Sequence, residues 1–217
     1  MKRKLVVCFF AMVVLLGLSI VSMADPITQP VYFDQITLIS SGPFTFTSLN
    51  HGTFETFCLE RNETIALNVT YTAFSNVGAV AGGYGGAVDD GTGTGGTIDL
   101  VDPMTAYLYT DWKYHTSGTV YNITALQIAI WTIEDEFPNG IPANYNYPDG
   151  IKALANEYID AAELAGWTNT HGVKALNLYK LNGQKAQDVL YVPEPMSLLL
   201  LGFGLLGLGI TRRKLKK

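Results

Sequence analysis

Residues 53–60 read Thr53-Phe54-Glu55-Thr56-Phe57-Cys58-Leu59-Glu60. Their β-branched and aromatic content predicts a strand. Side chains alternate along a strand, so Phe54, Thr56 and Cys58 share one face while Phe57 and Leu59 take the other. Apolar groups on both faces predict a strand covered on both sides, which buries Cys58. Segments of similar composition surround it. Residues 31–40, 44–49 and 65–74 are rich in Thr, Phe, Val, Ile and Tyr and are separated by Gly, Pro and Asn, and two later stretches, 173–181 and 186–191, turn at Asn182-Gly183.

Between these groups the pattern changes. Residues 78–97 contain nine glycines and are expected to be a loop. A calcium-repeat reading of Gly82-Gly83-Tyr84-Gly85 and Asp89-Asp90 fails because Ala87 stands where the repeat needs Asp, with no second copy. Helices follow. Asp102-Pro103 is an N-cap with proline at the first helical position, leading into Met104–Tyr109. Asn122 or Thr124 caps a second helix that runs to about Glu136, with Ile123, Leu126, Ile130 and Ile133 spaced by threes and fours. Gln127 lies at the margin of that stripe and points partly inward. Asp149 is the expected cap of a third helix, 151–165, closed by Gly166. The expected class is α+β: a β-rich, barrel- or sandwich-like part packed against a small helical subdomain.

The ends carry addresses. Lys2, Arg3 and Lys4, an apolar run over 5–20 and Ser22-Met23-Ala24 make residues 1–24 a signal peptide, removed by signal peptidase. At the other end Val192-Pro193-Glu194-Pro195 precedes an apolar stretch, 196–210, and a basic end, 211–217. Fifteen apolar residues fall short of the roughly 20 that span a bilayer core as a transmembrane helix. Residues 192–217 resemble the PEP-CTERM sorting tail of Gram-negative bacteria, which implies processing by an exosortase and a final place at the cell surface or in the extracellular matrix. The domain between the ends, 25–191, keeps six Lys/Arg and eighteen Asp/Glu, a net charge of −12. Such a surface disfavours nucleic acid and anionic membrane as partners.

With Cys8 removed in the signal peptide, Cys58 is the one cysteine of the exported domain. Exported cysteines usually pair, so a lone one is a buried inert thiol, half of an intermolecular bridge, or a sulfur bonded to something other than sulfur. Phe57-Cys58-Leu59-Glu60 together with Gln127-Ile128-Ala129-Ile130-Trp131 resembles the bacterial surface thioester (TQXA-type) domains, although Leu126 replaces the Thr that often precedes the Gln there. The resemblance implies an internal thioester between Cys58 and Gln127, used once per molecule for adhesion to an external nucleophile, a protein amine or a polysaccharide hydroxyl. It also implies supporting roles for Phe57, Glu60, Trp131 and Tyr107, and a protein that is not a turnover enzyme, with no cofactor and no metal. Tyr109 is a further candidate for aromatic cover.

Weaker candidates stand beside these. One of Glu134, Asp135 and Glu136 can be read as activating an incoming amine, or all three as a solvated helix end. His51, His115 and His171 lack the spacing of a zinc site. Asn62-Glu63-Thr64, Asn68-Val69-Thr70 and Asn122-Ile123-Thr124 match the glycosylation sequon, which carries little weight in a bacterium. The rival functions are a non-covalent envelope or biofilm matrix module with a free buried Cys58, and a hydrolase using Cys58 with one of the histidines.

Overall fold

The structure, a computed structural model, describes residues 30–80, 83–84, 88–89, 97–137, 141 and 147–193. The signal peptide and the apolar tail helix expected from the sequence lie outside these residues. Six strands form one curled antiparallel sheet: β1 Val31–Ser40, β2 Phe44–Ser48, β3 Gly52–Thr56, β4 Thr70–Asn76, β8 Lys174–Lys180 and β9 Lys185–Tyr191, in the order β3-β2-β1-β4-β8-β9. Three helices, α1 Pro103–Tyr114, α2 Ile123–Ile133 and α3 Asp149–Ala165, complete an α+β fold whose β-rich part is a half-barrel.

Alternation along the strands separates two cores. Ile36, Leu38, Phe46, Tyr71, Leu176, Leu178 and Val189 fill the curl of the sheet. Phe57, Leu59, Ala175 and Leu190 instead join Leu108, Tyr109, Leu126, Ile128 and Ile130 of the helices. Phe57 and Leu59 thus contribute to the helical core while Phe54 contributes to the other, as a strand covered on both sides requires.

The expected 53–60 strand is divided. Regular pairing of β3 with β2 ends where Thr56 meets Phe44. Beyond it the chain crosses to the far edge of the sheet: Leu190 N–H donates to Phe57 O at 3.0 Å and Leu59 N–H to Asp188 O at 2.9 Å. Cys58 therefore stands opposite Val189, at the seam where the half-barrel's first edge reaches its last strand.

Other boundaries also shift. The strand expected over 65–74 begins only at Thr70, because Asn68 adopts φ 59 and its N–H is taken by Leu38 O at 2.8 Å. The glycine-rich stretch is not wholly a loop. β5 Gly78–Val80, β6 Val88–Asp89 and β7 Thr97–Leu100 form a small second sheet in the order β5-β7-β6. A Cβ on Gly78 would lie 2.0 Å from Asp99 O, so glycine is what permits β5 to approach β7. Helix α2 stops at Ile133 rather than near Glu136. Asp135 takes φ 57, and Glu136 N–H donates to Trp131 O at 2.9 Å, a Schellman closure with Asp in the left-handed position. Asp102 caps α1 through Met104 N–H at 2.7 Å and Asn122 caps α2 through Ala125 N–H at 3.1 Å. Pro148, not Asp149, occupies the N-cap of α3, and Asp149 sits in its first turn, where a carboxylate suits the helix dipole. Gly166 closes that helix with φ 65.

Candidate functional site

Cys58 faces β9 as a non-hydrogen-bonded pair, so its own N–H and C=O point away from that strand. The partner on that side would come from the residue preceding Pro43, but β2 begins only at Phe44. Gln127 fills the gap. Its Oε1 accepts from Cys58 N–H at 2.9 Å and its Nε2 donates to Cys58 O at 2.8 Å. The carboxamide thereby completes the strand edge as a peptide group of a neighbouring strand would.

Helix α2 sets this contact. Its N-terminus is fixed by the Asn122 cap and by Asn122 N–H donating to Tyr158 OH of α3 at 2.9 Å. Ala125, Leu126, Ile128, Ala129 and Ile130 are buried, and Gln127, half-buried at the margin of that face, reaches the Cys58 main chain. A pocket of about 170 Å³ lies beside Gln127, lined by Pro43, Phe44, Phe57, Gln127, Trp131 and Tyr147 among others. A larger one of about 550 Å³, bordered by Glu55, Trp112, Lys113 and His115, shares Pro43 and Ile123 with it. Tyr147, Phe44 and Trp112 were not singled out from sequence. Only the register of β2 and the fold of the helices bring them here.

The other candidates are distributed as follows. Phe57 and Trp131 line the small pocket. Phe57 also meets the edges of Trp112 at 4.8 Å and Tyr109 at 6.5 Å, while the Tyr109 hydroxyl donates to Glu55 O at 3.0 Å. Tyr107 packs on Trp167 at 5.6 Å and is not among the pocket residues. Glu134 and Glu136 are buried rather than solvated. Glu134 Oε1 accepts from Asp102 N–H at 3.1 Å, and Glu136 accepts from Arg61 N–H and Tyr84 N–H, both at 2.8 Å. His51 stacks on Phe33, His171 meets Trp167 at a tilt of 46°, and His115 ends α1 with φ 51.

Electrostatics around Cys58 keep its thiol protonated. Burial pushes it well above its ordinary value, and the nearby charges of Glu63, Asp188 and Glu60 add to the rise. Those three carboxylates surround Lys185, whose Nζ lies 2.8 Å from Glu63 Oε2, 3.1 Å from Asp188 Oδ2 and 3.4 Å from Glu60 Oε2. Glu60 is thus turned away from Gln127, and its main-chain O accepts from Gln187 Nε2. Burial raises both Glu60 and Asp188, Glu60 further through its contact with Glu63.

Chemically, the pairing aims a main-chain donor at the oxygen of the Gln127 carboxamide. That oxygen is where charge develops when a nucleophile attacks the amide carbon. Among the described residues no helix is long and apolar enough to cross a membrane. No curated protein and no solved structure matches the chain. Residues 192–214 match the family described as the PEP-CTERM protein-sorting motif, which marks the chain as an exported protein whose tail is processed by an exosortase and whose destination is the cell surface or the extracellular space.

Proposed function

We propose that this exported protein attaches covalently, once per molecule, to an external nucleophile through a thioester between Cys58 and Gln127. The observation that carries the reading is the double hydrogen bond between the Gln127 carboxamide and the Cys58 main chain. In the forming step the Cys58 sulfur bonds to Gln127 Cδ and the Cδ–Nε2 bond breaks. The thiol proton leaves with the amide nitrogen as ammonia. Cys58 N–H already donates to Oε1, the oxygen that becomes the oxyanion, so no donor has to be recruited. Phe57, Phe44, Trp131 and Tyr147 surround the acyl group with apolar surface and slow its hydrolysis. An external amine then bonds to Cδ, the Cδ–Sγ bond breaks, and the amine's proton returns to sulfur.

A specific observation also favours a non-covalent matrix module: the same two hydrogen bonds satisfy a strand edge, and Cys58 is a buried neutral thiol. Intact mass separates the two. The thioester gives purified protein a mass one ammonia below the processed sequence, regained with the increment of methylamine after exposure to it. Cys58→Ala shows neither change. A full mass in protein never exposed to amines, with one thiol titratable on denaturation, would leave the matrix reading standing.

A further inference from the structure

All six strands of the large sheet are antiparallel to their neighbours, so the start of β1, the β2–β3 turn and the end of β9 lie at one end of the half-barrel. Ring contacts tie them together. His51 of the turn stacks on Phe33 of β1 at 4.0 Å and meets Tyr191 of β9 at 6.3 Å. Three exposed apolar side chains share this end: Leu49 is 94 % exposed, Val31 64 % and Tyr32 57 %. Apolar groups exposed singly need no explanation, but grouped ones mark a contact. Both apolar segments of the sequence also leave from here, since the run over 5–20 lies ahead of β1 and the stretch 196–210 follows β9.

The connection after β9 is short. Val192 is still part of the helical core and Pro193 is exposed, so only Pro193-Glu194-Pro195 separate the folded domain from the apolar stretch. Three residues reach about 10 Å at full extension, and the headgroup layer on each side of a bilayer core is about 5–8 Å deep. An apolar segment shorter than the core also draws its flanks and the bilayer surface together. We infer that, while it still carries its tail, the domain rests on a phospholipid bilayer by this end of the half-barrel, with Leu49, Val31 and Tyr32 against the headgroups. Tyrosine suits that depth, with an apolar ring and a polar tip. The domain's net charge of −12 supplies no attraction to anionic lipid, so the tail is what holds this face down. The β1–β2 turn lies at the other end of the half-barrel, and Pro43 and Phe44 there line the pocket beside Gln127. The candidate site is thereby carried away from the bilayer, whether or not a thioester forms.

The test uses the chain from 25 to 217, tail included, with phosphatidylcholine vesicles that carry a quencher on the lipid headgroup. In a Cys58→Ala background a single fluorophore is attached at Asn50→Cys, beside Leu49, or at Ser41→Cys, at the far end of β1; both positions are exposed. Strand β1 has ten residues and holds the two labels about 30 Å apart. Quenching is expected to be several-fold stronger at position 50 than at position 41. A long Gly/Ser linker inserted between Val192 and Pro193 should remove most of that difference, with an unchanged Tm showing that the fold is kept. A difference that survives the linker would still seat this face on lipid, through Leu49 and Val31 themselves, and Leu49→Asp should then abolish it. Equal quenching at the two positions without the linker, stronger quenching at 41, or no vesicle binding by the chain would overturn the inference.

Discussion

Phe44 pairs with Thr56, and regular strand pairing stops there. Cys58, two residues on, has its outward main-chain groups met by a side chain from another part of the fold instead. This vacancy in the sheet is what brings a glutamine against a cysteine.

Removing that side chain leaves a buried N–H and C=O without partners. Gln127→Ala is expected to cost about 1–3 kcal/mol, read as a lower urea midpoint with an unchanged m-value. Gln127→Glu recovers only part of this, because a carboxylate accepts from Cys58 N–H but cannot donate to Cys58 O.

In Gln127→Ala the Cys58 sulfur has no acyl partner, so its own reactivity can be measured. The thiol is buried and held protonated. Alkylation by a maleimide in native buffer is expected to be at least about a hundredfold slower than in denaturant. Equal rates would show that Cys58 is open to solvent.

Stability should fall as pH rises from about 4 to 8. Burial pushes Glu134 up to about 8 and, with the charges of Glu136 and Asp135, Asp99 up to about 6. Glu60 and Asp188 are raised too. These groups keep protons in the folded chain that the unfolded chain has already released, so stability is full below about 4 and is lost up to about 8 through Asp99, Asp188 and Glu134, and further up to about 10 through Glu60. Two carboxylates act in the opposite sense at lower pH. Asp34 is lowered, chiefly by the Ser48 hydroxyl, and Asp111 is lowered because donors from Ser117, Thr116 and Tyr121 outweigh its burial. Melting in EDTA should therefore show a Tm at pH 8 about 5 °C or more below that at pH 5, and Glu134→Gln should flatten part of the slope.

Gly83 holds a narrower constraint. Its φ is +74, and a Cβ there would lie 2.5 Å from Glu136 Oε1, the oxygen that accepts from Tyr84 N–H. Gly83→Ala is expected to destabilise by about 1–3 kcal/mol, with Gly52→Ala, which meets nothing within 4 Å, as the control for backbone strain alone.

The helices were legible because their ends carry local chemistry: Asp102-Pro103, Asn122 and Gly166 act within a turn of where they stand. Gln127 was legible as a marginal position for the same reason. Nothing local announced that residues 57–59 would leave β2 for β9, because that choice depends on Leu190 and Asp188, more than 120 residues away. Strands hidden in the glycine-rich stretch were missed since their few β-branched residues are outnumbered by turn formers. Glu60 read as a companion of Cys58, yet its carboxyl turns to Lys185 on the last strand. The histidines had no pattern in sequence and have none in space.

Strand β9 runs to Tyr191, Val192 is still buried, and the sorting motif starts at 192. Any tension applied through the tail thus enters the domain along β9 itself. A load directed along β9 would shear it from β8 on one side and from residues 57–59 on the other. Shear opposes several hydrogen bonds at once, whereas peeling breaks them singly. Cys58, opposite Val189, would lie on the path of such a load, and a bond from its sulfur to Gln127 would clamp that path to helix α2.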